Sequence, residues 1–196
     1  MRERSPRDCY LIGTDKMSGS ANKIDEIKKA ISSYPDFPIK GILFRDVFSV
    51  LRQPKIFGLL RDVMVEHAKQ LQPPVQVVAA LESRGFLFGP LIALELNVPF
   101  VPIRKKGKLP GMTRTVQYSL EYGQDAFEMQ EDAVKQGDRV LIVDDLLATG
   151  GSMSASCSLV NAFGAEVAEC FVVMELSDLN GRAKIAANVH SLIQYD

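Results

Sequence analysis

Tryptophan is absent from this chain of 196 residues, and cysteine and histidine are scarce, at three and two. Cys9, Cys157 and Cys170 are too few and too scattered for a disulfide framework, which points to a reducing compartment and a cytoplasmic protein. No CxxC pair occurs, and His67 and His190 add too little to build a zinc centre. No apolar run approaches the roughly 20 residues that span a bilayer, so no membrane segment is expected. Charge of neither sign dominates. Lys and Arg number 23 against 24 Asp and Glu, a net charge of −1, which argues against a dedicated nucleic-acid surface. The Walker and Rossmann glycine patterns are both missing, so the common nucleotide folds do not compete.

What the chain does have is apolar content. At 46% it suffices for one compact domain with a real core. Residues 1–15 are rich in Arg, with a short apolar patch at 9–13. That patch is too short for a signal-peptide core, and Glu3 and Asp8 are unusual in a transit peptide. Met17, followed by Ser18, Gly19 and Ser20, offers an alternative start. Residues 1–21 read as a flexible extension and 22–196 as a single domain.

Ile24, Ile27, Ala30 and Ile31 recur at helical spacing, and the helix should stop before the two prolines of Tyr34–Pro38. Residues 55–71 read as a second helix. Apolar runs at 75–81, 100–103, 139–143, 167–175 and 189–195 read as strands. Helix-like stretches at 85–95, 152–163 and 180–186 alternate with several of them. Gly164 is a natural stop for the stretch at 152–163. This alternation predicts an α/β fold with a mainly parallel central sheet flanked by helices. Ligands in such sheets bind beyond the carboxyl ends of strands. Residues 104–125 are polar and without helical period. Segment 107–125, bracketed by glycines, reads as a flexible lid loop.

The most informative string follows the run Val140, Leu141, Ile142, Val143. Asp144 and Asp145 are adjacent carboxylates that repel one another and need a compensating partner, such as ribose hydroxyls or a magnesium-bound sugar. Ala148, Thr149, Gly150, Gly151 and Ser152 then open a helix. Small residues let backbone N–H groups converge on an anion, Thr149 and Ser152 add hydroxyls, and the helix N-terminus adds positive dipole. Gly-Gly alone also fits an ordinary capped helix; the whole string fits an anion loop better.

Residues 140–152 resemble the phosphoribosyl pyrophosphate signature of the type I phosphoribosyltransferases. The resemblance implies that fold, with a small N-terminal hood (22–50), a core (51–196) and a lid near 107–125. It implies that Asp144 and Asp145 hold the ribose hydroxyls, and that Ala148, Thr149, Gly150, Gly151 and Ser152 hold the 5-phosphate. Three further segments resemble the adenine-using members of the family: Tyr34–Pro38 with 41–46, then 82–90 followed by 103–111, then 118–123. Together they cover nearly everything from Asn22 to Asp196.

Each of these segments also has its own physical reading. Ser83, Arg84 and Gly85 follow a buried strand. Gly85 permits close backbone approach, and Arg84 offers a bidentate fork for phosphate oxygens. Arg104, Lys105, Lys106, Gly107 and Lys108 form a dense basic run, which fits either a solvated face or a pyrophosphate site. The resemblance makes Ser83, Arg84, Lys105 and, less firmly, Lys108 pyrophosphate contacts, with Lys106 left as surface. It makes Glu121 the acid/base residue on the purine, delivered by the lid, with Tyr122 reaching the reaction centre or the pyrophosphate and Arg84 stabilising charge. Ile42, Phe44, Arg45 and Leu176 become the base pocket, since an aromatic ring stacks on a purine and apolar side chains enclose it.

The implied reaction joins adenine and phosphoribosyl pyrophosphate to give AMP and pyrophosphate in purine salvage. The implied cofactor is Mg2+, held mainly by substrate and by no dedicated metal ligand. A homodimer is implied as well, and no nucleic acid or membrane partner. The competing readings are a phosphoribosyltransferase for another base, such as a 6-oxopurine or orotate, and a non-catalytic sensor of phosphoribosyl pyrophosphate on the same fold. His67 and His190 read as structural or surface, and Cys157 and Cys170 as core residues of a helix and a strand.

Overall fold

Runs of branched apolar residues with no polar interruption suit strands buried on both faces. Two such runs form the centre of the main sheet. They are β3 (Val77–Leu81), buried throughout, and β7 (Arg139–Leu147), in which Val140, Leu141, Ile142 and Val143 are fully covered. The computed structural model describes residues 12–120 and 123–196, with side chains at 21–117 and 126–196. The chain divides between Val63 and Met64 into two compact units.

The first unit holds α1 (Ile12–Ala30), β1 (Ser32–Pro35), β2 (Leu43–Asp46) and α2 (Phe48–Leu51). The helix expected from Asn22 thus begins at Ile12, inside the stretch assigned to the extension; residues 1–11 lie outside the described residues. β1 and β2 pair antiparallel, with Tyr34 opposite Phe44 and Ser33 opposite Arg45. The buried Ser49 hydroxyl organises their base. It accepts from the Ser32 N–H at 2.9 Å and lies within hydrogen-bonding reach of the carbonyls of Ala30 and Asp46. Helix α3 (Pro54–Ala68) crosses the division.

The second unit contains α4 (Gly89–Leu96), β4 (Phe100–Lys105), β5 (Thr113–Leu120), β6 (Gly123–Gln130), α5 (Gly151–Ala162), β8 (Glu166–Leu176) and β9 (Val189–Tyr195), together with β3 and β7. The seven strands stand in the order β5-β6-β4-β3-β7-β8-β9. β4, β3, β7, β8 and β9 run parallel, while β5 and β6 form an antiparallel edge. Leaving β3, the chain goes to β4 on one side and later returns to β7 on the other. The carboxyl ends of β3 and β7 therefore flank a topological switch point, where open α/β sheets leave a crevice.

Three expectations change. Segment 107–125 is not structureless: much of it is the β5–β6 hairpin, paired from Thr113–Gln130 to Leu120–Gly123. β7 does not stop at Val143. Asp144, Leu146 and Leu147 keep their pairing with Val172, Met174 and Glu175, so both acids sit in the strand and the loop proper is 148–150. The helix expected over 180–186 is instead a pair of 3-10 turns, Ser177–Leu179 and Gly181–Lys184. Among the described residues no helix is long and apolar enough to cross a membrane.

Candidate active site

The crevice at the switch point is a cleft of about 350 Å³, lined by residues 82–84 and 144–153. It brings together Ser83, Arg84, Asp144, Asp145, Ala148, Thr149, Gly150, Gly151 and Ser152. One wall is a turn, the second a strand end and the third a helix N-terminus.

The first wall is the 3-10 turn Arg84–Leu87, directly after β3; the Glu82–Ser83 peptide is cis. Gly85 is required here. A Cβ on it would stand 2.7 Å from the Val143 carbonyl oxygen and 3.3 Å from Asp144 Oδ1. The close approach foreseen for Gly85 is therefore to the end of β7. From this turn Arg84 Nε donates to Asp145 Oδ2 at 2.5 Å.

The second wall is the acidic end of β7. Asp145 is 3% exposed, and its counter-charge is the Arg84 guanidinium. The compensating partner that the paired acids demand is thus half supplied by the protein itself. Asp144 accepts the Asp145 backbone N–H at 2.9 Å; burial pushes its carboxyl well above the usual carboxylate range, the neighbouring Asp145 charge pushes it further, and the Arg84 charge opposes both. A cation or a hydroxyl-bearing sugar entering the cleft would relieve that position. Among the described residues no group of three or more His, Cys, Asp or Glu could hold a metal ion. Asp144 and Asp145 offer oxygen donors of the kind that magnesium takes.

The third wall is the start of α5. Gly150 occupies the N-cap in left-handed conformation, φ 80°, and supplies no side-chain cap. The first intrahelical bond runs from the Ser154 N–H to the Gly150 carbonyl. The amides ahead of it, with the exposed Thr149 hydroxyl and half-buried Ser152, offer an anion site with favourable dipole.

The basic run lies at the end of β4, outside the lining of the cleft. Arg104 donates to Glu82 Oε2 at 2.7 Å and to the Lys108 carbonyl at 3.0 Å. Buried Glu128 accepts the backbone N–H groups of Lys108 and Leu109, each at 2.8 Å. Burial raises the Glu128 carboxyl, but these bonds and those from Gly107 and Thr113 outweigh it and leave the pKa lowered. The turn is therefore fixed through Arg104 and Glu128. Lys105, Lys106 and Lys108 are all exposed, so exposure does not separate Lys106 from its neighbours.

In the first unit Phe44 lines a second hollow of about 440 Å³ with Tyr34, Pro35, Asp36 and Phe37. Phe37 meets Phe44 edge to face, centroids 5.1 Å apart. Arg45 donates to Ser33 Oγ at 2.6 Å, and the Ile42 carbonyl accepts from the Phe37 N–H. Ile42 is exposed and Leu176, at the end of β8, is half-buried. Glu121 and Tyr122 lie outside the described residues. Sequence reasoning missed Glu82 in the cleft and Tyr34 and Phe37 in the hollow, although all three stand in segments it had singled out.

His67 is not a plain surface residue. Its Nε2 is 2.6 Å from Glu169 Oε1, and its ring stacks on His190 with centroids 3.7 Å apart. Cys157 and Cys170 are buried with free thiols, their Sγ atoms 3.4 Å apart.

The phosphoribosyl transferase domain family matches residues 47–193. The adenine phosphoribosyltransferase of Drosophila pseudoobscura pseudoobscura is 53% identical over 174 residues, which is 89% of this chain and 96% of that one. The Caenorhabditis elegans enzyme of the same name is 49% identical over 87% of this chain and 93% of its own. Among solved structures, adenine phosphoribosyltransferase from Saccharomyces cerevisiae, complexed with an imino-altritol bisphosphate and adenine, superposes with a TM-score of 0.85. It is 45% identical, covering 88% of this chain and 99% of that one. The Trypanosoma brucei adenine phosphoribosyl transferase, in complex with AMP, pyrophosphate and ribose-5-phosphate, gives a TM-score of 0.81 at 31% identity, over 88% of this chain and 79% of that one.

Proposed function

Because the chain belongs to the adenine phosphoribosyltransferases of the phosphoribosyl transferase domain family, we propose that the cleft between β3 and β7 holds the phosphoribosyl group during transfer. The enzyme transfers that group from phosphoribosyl pyrophosphate to adenine, giving AMP and pyrophosphate, a purine-salvage reaction. The observation that carries the site assignment is the arrangement of the cleft. An uncapped helix N-terminus at Gly150–Gly151 and a pair of carboxylates at Asp144 and Asp145 face a guanidinium at Arg84. That order matches a molecule with a phosphate at one end, hydroxyls in the middle and a pyrophosphate at the other.

In this reading the 5-phosphate docks on Ala148, Thr149, Gly150, Gly151 and Ser152 and contributes remote binding energy that positions the sugar. Asp144 and Asp145 accept hydrogen bonds from the ribose hydroxyls. Arg84, with Ser83, Lys105 and Lys108, stabilises charge on the departing pyrophosphate. Adenine N9 attacks the anomeric carbon as the bond from that carbon to the pyrophosphate oxygen breaks, and positive charge builds on the ribose. Glu121 takes up the proton lost from the purine, and Tyr122 reaches the reaction centre. Phe44 stacks on the base, with Ile42 and Arg45 beside it. Magnesium, when bound, would offset the charge of the leaving group. The β5–β6 hairpin serves as the lid that excludes water. The functional enzyme is a homodimer of the cytoplasm; the two unbridged thiols are compatible with that compartment.

The test is steady-state assay of AMP formation with adenine, hypoxanthine and orotate, using the wild type and a Thr149→Ala/Ser152→Ala variant. Turnover with adenine alone, and a raised KM for phosphoribosyl pyrophosphate in the variant, is expected. An unchanged KM in the variant refutes the phosphate-loop assignment.

A further inference from the structure

The loop that seats the 5-phosphate does not hold itself. It carries no side-chain cap, and its residues are small. Its support comes from the 3-10 turn Gly181–Lys184, which lies against it through bare backbone. A Cβ on Gly150 would fall 2.2 Å from the Gly181 carbonyl oxygen. A Cβ on Gly181 would fall 2.1 Å from the Ala148 carbonyl oxygen and 2.8 Å from the Gly150 nitrogen. Neither neighbour can yield cheaply, because each is main chain. Two glycines far apart in sequence are thus each required by the other.

The turn is fixed in its own right. Glu175, 5% exposed near the end of β8, accepts from Arg182 Nε at 3.1 Å and Nη2 at 2.5 Å. It also accepts from Ser191 Oγ at 2.6 Å and Gln194 Nε2 at 3.3 Å. Arg182 Nη1 donates in turn to the Val189 carbonyl. The bond from Arg182 is the chief reason the Glu175 carboxyl lies below the usual range, against the opposing effect of burial. Glu175 is also the ladder partner of Leu147, the residue just before the loop. The connections therefore close a ring. Leu147 leads by chain to Ala148, whose carbonyl rests on Gly181; Gly181 leads by chain to Arg182, which grips Glu175, and Glu175 pairs back to Leu147.

We propose that Gly181, with the Glu175–Arg182 pair behind it, is a positioning element for the phosphate loop. It sets the spacing of the amides that receive the 5-phosphate and touches no substrate itself. The inference rests on the reading of residues 148–152 as the phosphate site. A shift of the loop by a fraction of an ångström would weaken a site built on several convergent N–H groups while leaving the purine site alone.

The experiment compares three full-length variants with the wild type: Gly181→Ala, Arg182→Ala and the loop variant Thr149→Ala/Ser152→Ala. Initial rates are measured against phosphoribosyl pyrophosphate and adenine separately. Gly181→Ala and Arg182→Ala are expected to raise the KM for phosphoribosyl pyrophosphate about tenfold to a hundredfold, as small misplacements do. The KM for adenine should stay within about twofold, the pattern of a lost binding interaction confined to one substrate. Arg182→Lys should recover part of the loss by restoring the charge. If Gly181→Ala does not fold, Arg182→Ala and its lysine counterpart decide. An effect of the loop variant with none from Gly181→Ala or Arg182→Ala overturns the positioning role. So does an equal rise in both KM values, which marks general loosening. No effect from the loop variant overturns the phosphate-loop reading and the inference with it.

Discussion

Arg84 reaches from the turn after β3 to Asp145 at the end of β7, its Nε 2.5 Å from the carboxylate. The two ends differ in environment: the arginine side chain is 37% exposed and the aspartate 4%. Asp145 is a buried charge with a solvent-touched partner, in a cleft proposed to receive pyrophosphate beside that same arginine. The ion pair offsets the buried Asp145 charge within the cleft itself.

Removing the arginine should therefore cost both stability and activity. Arg84→Ala leaves Asp145 buried without its counter-charge, a strongly destabilising change. It also removes the donor proposed for the leaving group, and losses on the order of 10²–10³ in kcat are expected from that. Arg84→Lys should restore folding more than turnover, since an ammonium lacks the planar fork. Thermal melts and initial rates on the same preparations check this; a lysine variant with full turnover contradicts it.

Gly85→Ala probes how closely the turn approaches β7. With the Val143 carbonyl oxygen 2.7 Å from the new Cβ, the backbone must shift. Overpacking of this kind costs about 1–3 kcal/mol. Urea unfolding should show a lower midpoint at unchanged slope, and Arg84-dependent turnover should fall with it. A midpoint equal to the wild type's would mean that the approach is looser than described.

The imidazole stack gives a pH signature. Burial lowers the His190 pKa, with the charges of His67 and Arg182 acting the same way and Glu169 opposing them. A lowered pKa means that the folded state prefers the neutral ring. Its contribution to stability is therefore present above the unfolded value of about 6.5 and lost as pH falls through the folded one. The urea midpoint of the wild type should decline below about pH 6.5 more steeply than that of His190→Gln. Parallel curves would remove His190 from the explanation.

Cys170 should resist alkylation in the native enzyme. It is buried, and the hydrogen bond with Cys157, together with burial, pushes its thiol well above the ordinary value, whereas the same bond lowers the thiol of Cys157. A thiol reacts as its thiolate, so labelling should wait for unfolding. Peptide mapping after iodoacetamide treatment, with and without urea, measures this. Native labelling of Cys170 at neutral pH would contradict it.

The parts legible in the sequence were those whose physics is local. β3 announced itself as an apolar run, and β7 and β8 through their apolar stretches at 140–143 and 170–174, because parallel strands are covered on both faces. The junction into α5 was legible because Gly150 and Gly151 suit a tight turn from strand to helix. The β5–β6 hairpin was hidden. It is a polar sheet edge, with Thr113, Arg114, Thr115, Gln117, Ser119, Gln124 and Gln130 in its two strands, and its only described residues buried below one tenth are Ala126, Phe127, Glu128 and Met129. Asp144 and Asp145 were mistaken for the end of a strand because charge interrupts an apolar run; the ladder with β8 holds them in it. Gly181 could not be read at all. Its importance lies in a main-chain contact with Ala148 and Gly150, and no side chain advertises it.

The central claim, that the amides at the start of α5 hold the 5-phosphate, is tested most directly by a crystal structure of the enzyme with AMP. The phosphate oxygens are expected within about 3 Å of the backbone nitrogens of residues 149–152, with the ribose hydroxyls on Asp144 and Asp145. A phosphate seated instead against Lys105 and Lys108, with the start of α5 left to solvent, would contradict the account.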